Sequence, residues 1–197
     1  MTNPAFRPKN VEKLLNAAFE TSDLKRICRA IDAAVLQSGS IIEVARAAKL
    51  DRVTLYRAFR LQNGPALDNM IKVLRVLGFR LVVEVGTDAA NNDASGAPTG
   101  VERTARNQAA TTARRFTAAF KTGDRELLVK VFKESLRAQE NVAEFAGKTI
   151  RTRETLYRAF TQYPTPRFST LLSFLNALGL RFGVRRLPYV KDSAHEL

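Results

Sequence analysis

One cysteine and one histidine are all that the 197-residue chain has of either residue, and these scarcities exclude most metal and thiol chemistry. Cys28 has no second thiol to pair with, which suits a reducing cytoplasm, and it falls on an apolar helical face as a core residue would. His195 lies in the polar C-terminal tail. No zinc-ligand spacing, Gly-rich phosphate loop or His-based triad can be assembled, so no catalytic residue, metal or cofactor is expected and the chain does not read as an enzyme. No apolar run approaches the ~20 residues of a membrane span, and Met1–Lys9 has no signal-peptide pattern. Acidic residues are also scarce, 19 against 32 basic ones, for a formal charge of +13. The excess is spread along the chain: residues 1–86 hold 14 basic and 8 acidic side chains, and residues 101–197 hold 18 and 9. A basic fold of this size most often meets nucleic acid, less often an anionic membrane or an acidic protein.

What the chain does have is a repetition. Thr54-Leu55-Tyr56-Arg57-Ala58-Phe59 recurs as Thr155-Leu156-Tyr157-Arg158-Ala159-Phe160, an offset of 101 residues. The same offset, without a gap, aligns Ala17-Ala18-Phe19 with Ala118-Ala119-Phe120, Pro65 with Pro166 and Leu77-Gly78 with Leu178-Gly179; residues 17–83 share 20 identities with their counterparts. The sequence is therefore a tandem duplication of one small domain, with units at 10–86 and 101–188 and a flexible Ala/Asn/Asp/Ser/Gly/Pro linker at 87–100.

Local signals place the elements. Asn10 opens a helix with Val11, Leu14, Leu15 and Ala18 as its apolar positions, after a loose N-terminal arm. Thr21-Ser22-Asp23 starts a second, with Leu24, Ile27, Cys28, Ile31, Ala34 and Val35 inward, and Gly39 ends it. Ser40 caps a third helix, Ile41–Ala48, with Glu43 as its capping-box partner; Asn141 and Glu144 repeat the device. Asp51, replaced by Thr152 in the second copy, caps the helix Asp51–Arg60. Leu55, Ala58 and Phe59 share its inner face, leaving Arg, Tyr and Thr outward. A further helix carries Leu67, Met70, Ile71, Leu74 and Leu77 as a core stripe and stops at Gly78. Phe79–Val85 then reads as a strand. The second copy starts with a helix over Val101–Ala119, which Thr111-Thr112 weakens, and ends in a strand, Leu180–Leu187. One strand per copy leaves a row of unbonded backbone groups, so the two should pair antiparallel about a pseudo-two-fold axis.

The run Ile42–Ala58 resembles the two central helices of the lambda-repressor-like (XRE) helix-turn-helix family. Its continuation through Gly64-Pro65 to Leu74-Arg75-Val76-Leu77-Gly78-Phe79-Arg80-Leu81, with Glu20–Asp23 before it, resembles the probable addiction module antidote branch, related to HigA-type antitoxins. The resemblance covers roughly residues 17–85 and 118–186 and implies a mainly α fold of two linked helix-turn-helix domains, each ending in a strand. Two departures stand out. The turn between the paired helices usually carries Gly, where the backbone wants positive φ, but here holds Lys49 and Ile150. The apolar position of Leu50 holds Arg151 in the second copy, whose turn is therefore expected to be remodelled.

These readings lead to a sequence-specific DNA-binding regulator, cytoplasmic and nucleoid-associated, with double-stranded DNA as its partner and the two copies forming a monomeric pseudo-dimer. The expected DNA-facing residues are Ser40, Arg52, Val53, Thr54, Tyr56, Arg57 and Arg60 in the first copy. In the second they are Asn141, Arg153, Glu154, Thr155, Tyr157 and Arg158. Arg75, Arg80, Arg185 and Arg186 read as rim charges. Because Val53 has Glu154 as its counterpart in the second copy, the expected site is asymmetric or pseudo-palindromic. The alternative is a protein-interaction module, an antitoxin neutralising a toxin or an antiactivator binding a regulator, with DNA binding secondary.

Overall fold

A computed structural model of the chain describes residues 8–60, 64–86, 100–139, 158 and 166–188, with the backbone alone at 101 and 102. The first copy contributes α1 (Pro8–Glu20), α2 (Leu24–Ser38), α3 (Ile41–Ala47), α4 (Arg52–Arg60), α5 (Leu67–Val76) and β1 (Phe79–Val85). The second contributes α6 (Gly100–Thr122), α7 (Arg125–Arg137), α8 (Phe168–Ala177) and β2 (Leu180–Arg186). The fold is mainly helical, in two repeats that each end in one strand.

Several ends differ from the sequence reading. α1 already includes Pro8, ahead of the start at Asn10 that the sequence suggested. Leu14 is 40 % exposed, since Val11, Leu15 and Phe19 supply the buried row. α6 runs unbroken through Thr111-Thr112, Thr111 donating its hydroxyl to the Asn107 carbonyl at 2.9 Å, and it includes Gly100, which the linker was expected to hold. β2 stops at Arg186. Asp23 caps α2 by accepting the N–H groups of Lys25 and Arg26, and Gly39 closes it. Those two donors hold the Asp23 carboxyl below its ordinary 3.8, the Arg26 bond first.

The two strands form one antiparallel sheet in the register Phe79↔Arg186 to Val85↔Leu180, so Val82 pairs with Gly183. These two are repeat-mates at the 101-residue offset, which puts the pseudo-two-fold axis between them. Ala66 and Arg167, also repeat-mates, form an isolated bridge, with Leu67 N–H to Pro166 O and Phe168 N–H to Pro65 O both at 3.0 Å. The strand ends close symmetrically as well, Gly86 N–H to Gly179 O at 2.8 Å and Leu187 N–H to Gly78 O at 2.9 Å.

The first helix of each copy crosses to the other copy's strand: α1 lies against β2 and α6 against β1. Each satisfies that strand's outer edge. Val184 donates its N–H to Asn16 Oδ1 at 2.8 Å, and Asn16 Nδ2 donates to Val184 O at 3.1 Å. The repeat-mates do the same, Val83 N–H reaching Thr117 Oγ1 at 2.8 Å. Phe19 of the first copy packs on Phe168 and Phe182 of the second, both at 6.3 Å between ring centroids, and these join one continuous apolar core with Phe79, Phe116 and Phe174. Arg75, read as a rim charge, instead donates to the Phe120 and Lys121 carbonyls at the end of α6. That end carries orphan carbonyls and a partial negative charge, so a guanidinium satisfies both. Arg185 pairs with Glu84 across the sheet at 2.6 Å.

Candidate nucleic-acid interface

The helix pair α3–α4 is joined by a short hydrogen-bonded turn. Ser40 caps α3, its hydroxyl accepting the N–H groups of Ile42 (3.2 Å) and Glu43 (3.5 Å). At the other end the Lys49 N–H bonds to Arg46 O at 3.0 Å and the Leu50 N–H to Ala45 O at 2.9 Å. This is the nested pair of bonds that ends a helix when the residue past its cap turns left-handed. Lys49 is that residue, at φ 53°, which is the strained position expected at this turn. Leu50 then folds back on the core. Asp51 follows at once as the cap of α4, accepting the Thr54 N–H at 2.8 Å and the Thr54 hydroxyl. The Thr54 hydroxyl, then the Thr54 N–H, hold the Asp51 carboxyl below its ordinary 3.8, so it stays charged at the positive end of the helix.

α4 buries Leu55, Ala58 and Phe59 and turns its other side to solvent. Arg52, Val53, Tyr56 and Arg57 are exposed together and line one shallow depression, Val53 at 55 % and Tyr56 at 48 % exposure. The other expected residues of this copy are committed to the framework. Thr54 is half-buried and its hydroxyl belongs to Asp51. Arg60 grips the Asp32 carboxylate of α2 at 3.0 Å and lies 4.7 Å over the Tyr56 ring, fixing the far end of α4. Ser40 is half-buried and closes its own helix.

In the second copy Arg158 is helical and exposed. Asn141, Arg153, Glu154, Thr155 and Tyr157 lie outside the described residues, as do the Thr152 cap and the Ile150-Arg151 turn. The sequence reading passed over Ile42, which is 52 % exposed on α3. The signal was available: Ile41, Val44, Ala45 and Ala48, at i, i+3, i+4 and i+7, already fill the inner face of α3 and leave Ile42 to the side.

Among the described residues no cluster of three or more His, Cys, Asp or Glu could hold a metal ion, and no helix is long and apolar enough to cross a membrane. Cys28 is buried and its thiol is pushed up to about 11 by desolvation, so it stays protonated at neutral pH.

Comparison with curated proteins and with solved structures gave no match. The family model described as probable addiction module antidote protein matches twice, over residues 7–85 and 105–186, the two copies that the pseudo-two-fold axis relates. The chain belongs to the probable addiction module antidote protein family, as a tandem pair of that family's domain.

Proposed function

We propose that the chain is a sequence-specific DNA-binding regulator in which α3 and α4 act as a helix-turn-helix and α4 enters the major groove. The observation that carries this is the outer face of α4, where Arg52, Val53, Tyr56 and Arg57 stand exposed together on a helix held at both ends. Reading bases requires such a face on a helix that does not move, and the two arginines suit guanine edges or phosphates. Ser40, Thr54 and Arg60 set the frame that presents it. The second copy, with Arg153, Glu154, Tyr157 and Arg158, supplies the other half-site. Val53 packs on a thymine methyl, whereas Glu154 accepts from a cytosine amino group and repels phosphate, so the preferred site is asymmetric. The test is selection from random DNA, followed by the Val53→Glu and Glu154→Val variants. Each swap is expected to change one half-site, a good base contact discriminating by about 1–3 kcal/mol. Arg52→Ala and Arg57→Ala should weaken binding and leave the thermal midpoint unchanged. Wild-type affinity in both arginine variants would remove α4 as the reader.

A second reading, a toxin-neutralising module, is favoured by the family match itself. It predicts that the chain co-purifies with the product of a neighbouring toxin-like gene. Protein that binds no duplex at low salt yet forms that complex would decide for this reading.

A further inference from the structure

The two copies distribute charge differently on one equivalent element. α1 is balanced, with Lys9 and Lys13 against Glu12 and Glu20. α6, its repeat-mate, carries Arg103, Arg106, Arg114, Arg115 and Lys121 against Glu102 alone. The first nine residues of α6, Gly100 to Gln108, precede the position equivalent to Pro8 of α1. There Arg103 to Gln108 are all exposed, and packing on the core begins only at Ala109. Burial therefore does not explain this stretch, which is polar on every side.

At 3.6 residues per turn, Arg103, Arg114 and Lys121 fall within about 20° of one another, with Arg106 about 60° to the side. All four are exposed, and at ~1.5 Å per residue the row runs about 27 Å along the helix. Arg115 lies off the row and is taken up by Glu134 of α7. The exposed large hydrophobic residues of the described chain, among them Leu36, Ile42 and Val53, all belong to other elements.

We propose that this face of α6 is a second nucleic-acid contact surface, holding the phosphate backbone of duplex DNA without reading its sequence. Positive charge strung along a rod fits an extended polyanion, and about 27 Å matches the rise of roughly 8 base pairs. Arginine presents donors suited to phosphate oxygens. A protein partner would look for aromatic or aliphatic anchors, and this face offers none. Such a surface positions the molecule on DNA while α4 specifies. A balanced α1 gives the first copy no equivalent, so the grip is one-sided and orients the pseudo-dimer.

The inference rests on the DNA-binding reading, and full-length variants separate the two. Affinity is measured against salt for a selected genomic fragment and for a random duplex. Arg103→Gln/Arg106→Gln/Arg114→Gln is expected to weaken both and to reduce the slope of log K against log salt by up to about 2.7, at ~0.9 per lost contact, with base preference unchanged. Arg52→Ala/Arg57→Ala is expected to lose the preference for the selected fragment but retain salt-dependent binding to the random duplex, which the combined variant then loses. The wild-type salt slope on both DNAs in the triple variant overturns the α6 proposal alone, including where that variant instead loses an acidic protein partner. Absence of any duplex binding by wild-type protein at low salt overturns both readings.

Discussion

Lys49 shows how a single residue can carry a cost that the sequence already announces. A left-handed residue between two capped helices calls for glycine, and the chain places a lysine there at φ 53°. Ser22 is the only other described non-glycine residue with positive φ, and its repeat-mate is Gly123, at φ 70°. Glycine thus stands at one copy of the Ser22/Gly123 turn and at neither copy of the Lys49/Ile150 turn. Lys49→Gly is expected to raise stability by about 1 kcal/mol, the left-handed penalty less the extra freedom glycine has in the unfolded chain. A urea midpoint that falls would show the Lys49 side chain to be doing more than tolerating its backbone. Asp51 adds a pH dependence of known sign. Its carboxyl is held below 3.8 in the folded chain by Thr54, so its contribution is full above that ordinary value and is lost as pH falls through the depressed one. Asp51→Asn, which still caps but does not titrate, should flatten the acid limb of the stability profile below about pH 4. An unchanged limb would place the acid sensitivity elsewhere. Both residues were legible because caps and turns depend on neighbours two or three positions away. Thr54 and Arg60 were not legible in the same way. Thr54 lies within local reach of Asp51 but was read as facing outward, whereas nothing local says that Arg60 meets Asp32, 28 positions earlier on another helix.

The sheet extends the same lesson from residues to elements. That the strands pair could be argued from sequence, since a lone strand leaves its backbone unbonded. The repeat requires only that the pairing be symmetric about the axis; the structure places that axis at Val82 and its own copy, Gly183, which the sequence did not specify. What closes the outer edges was not foreseen. Asn16 and Thr117 occupy one repeat position and make the same pair of contacts to Val184 and Val83. Both are polar residues able to donate and accept, set among the apolar positions of their helices, and that recurrence was the available clue. Their partners belong to the opposite copy, which local pattern cannot tell. Asn16→Leu should cost about 1–3 kcal/mol by leaving the Val184 N–H and carbonyl without a partner, whereas Asn16→Thr, copying the other repeat, should recover much of it. Equal stability of the two variants would show that water replaces the amide. Gly183 has its own reason: a Cβ there would sit 3.3 Å from Asn16 Oδ1 and 3.5 Å from Val82 Cγ2, so a side chain would fit only by pushing on the Asn16 amide that bonds Val184.

At the scale of the whole molecule, the exchange of first helices decides how the protein folds and assembles. α1 covers β2, α6 covers β1, and Phe19 packs on Phe168 and Phe182, so the apolar interior has no plane at which the copies come apart clean. Cutting the chain at the junction of the repeats would expose the inner faces of α1 and β1 on one side and of α6 and β2 on the other. Each face holds several fully buried aromatic or aliphatic side chains, and losing the burial of a single phenylalanine typically costs about 3–5 kcal/mol, a large share of a domain's whole stability. Covalent linkage instead makes the association intramolecular, so stability does not depend on protein concentration. The intact chain is expected to be monomeric and to melt in one transition whose midpoint is the same across a hundredfold range of concentration. A fragment spanning 1–86 is expected to be unfolded or to self-associate through Phe79–Val85, while mixing it with 100–197 should restore a one-to-one complex with the intact chain's far-ultraviolet spectrum. Fragment 1–86 folding alone as a stable monomer would mean that α1 can return to its own strand, and the intertwined core would then be a consequence of the linkage rather than a requirement of the fold.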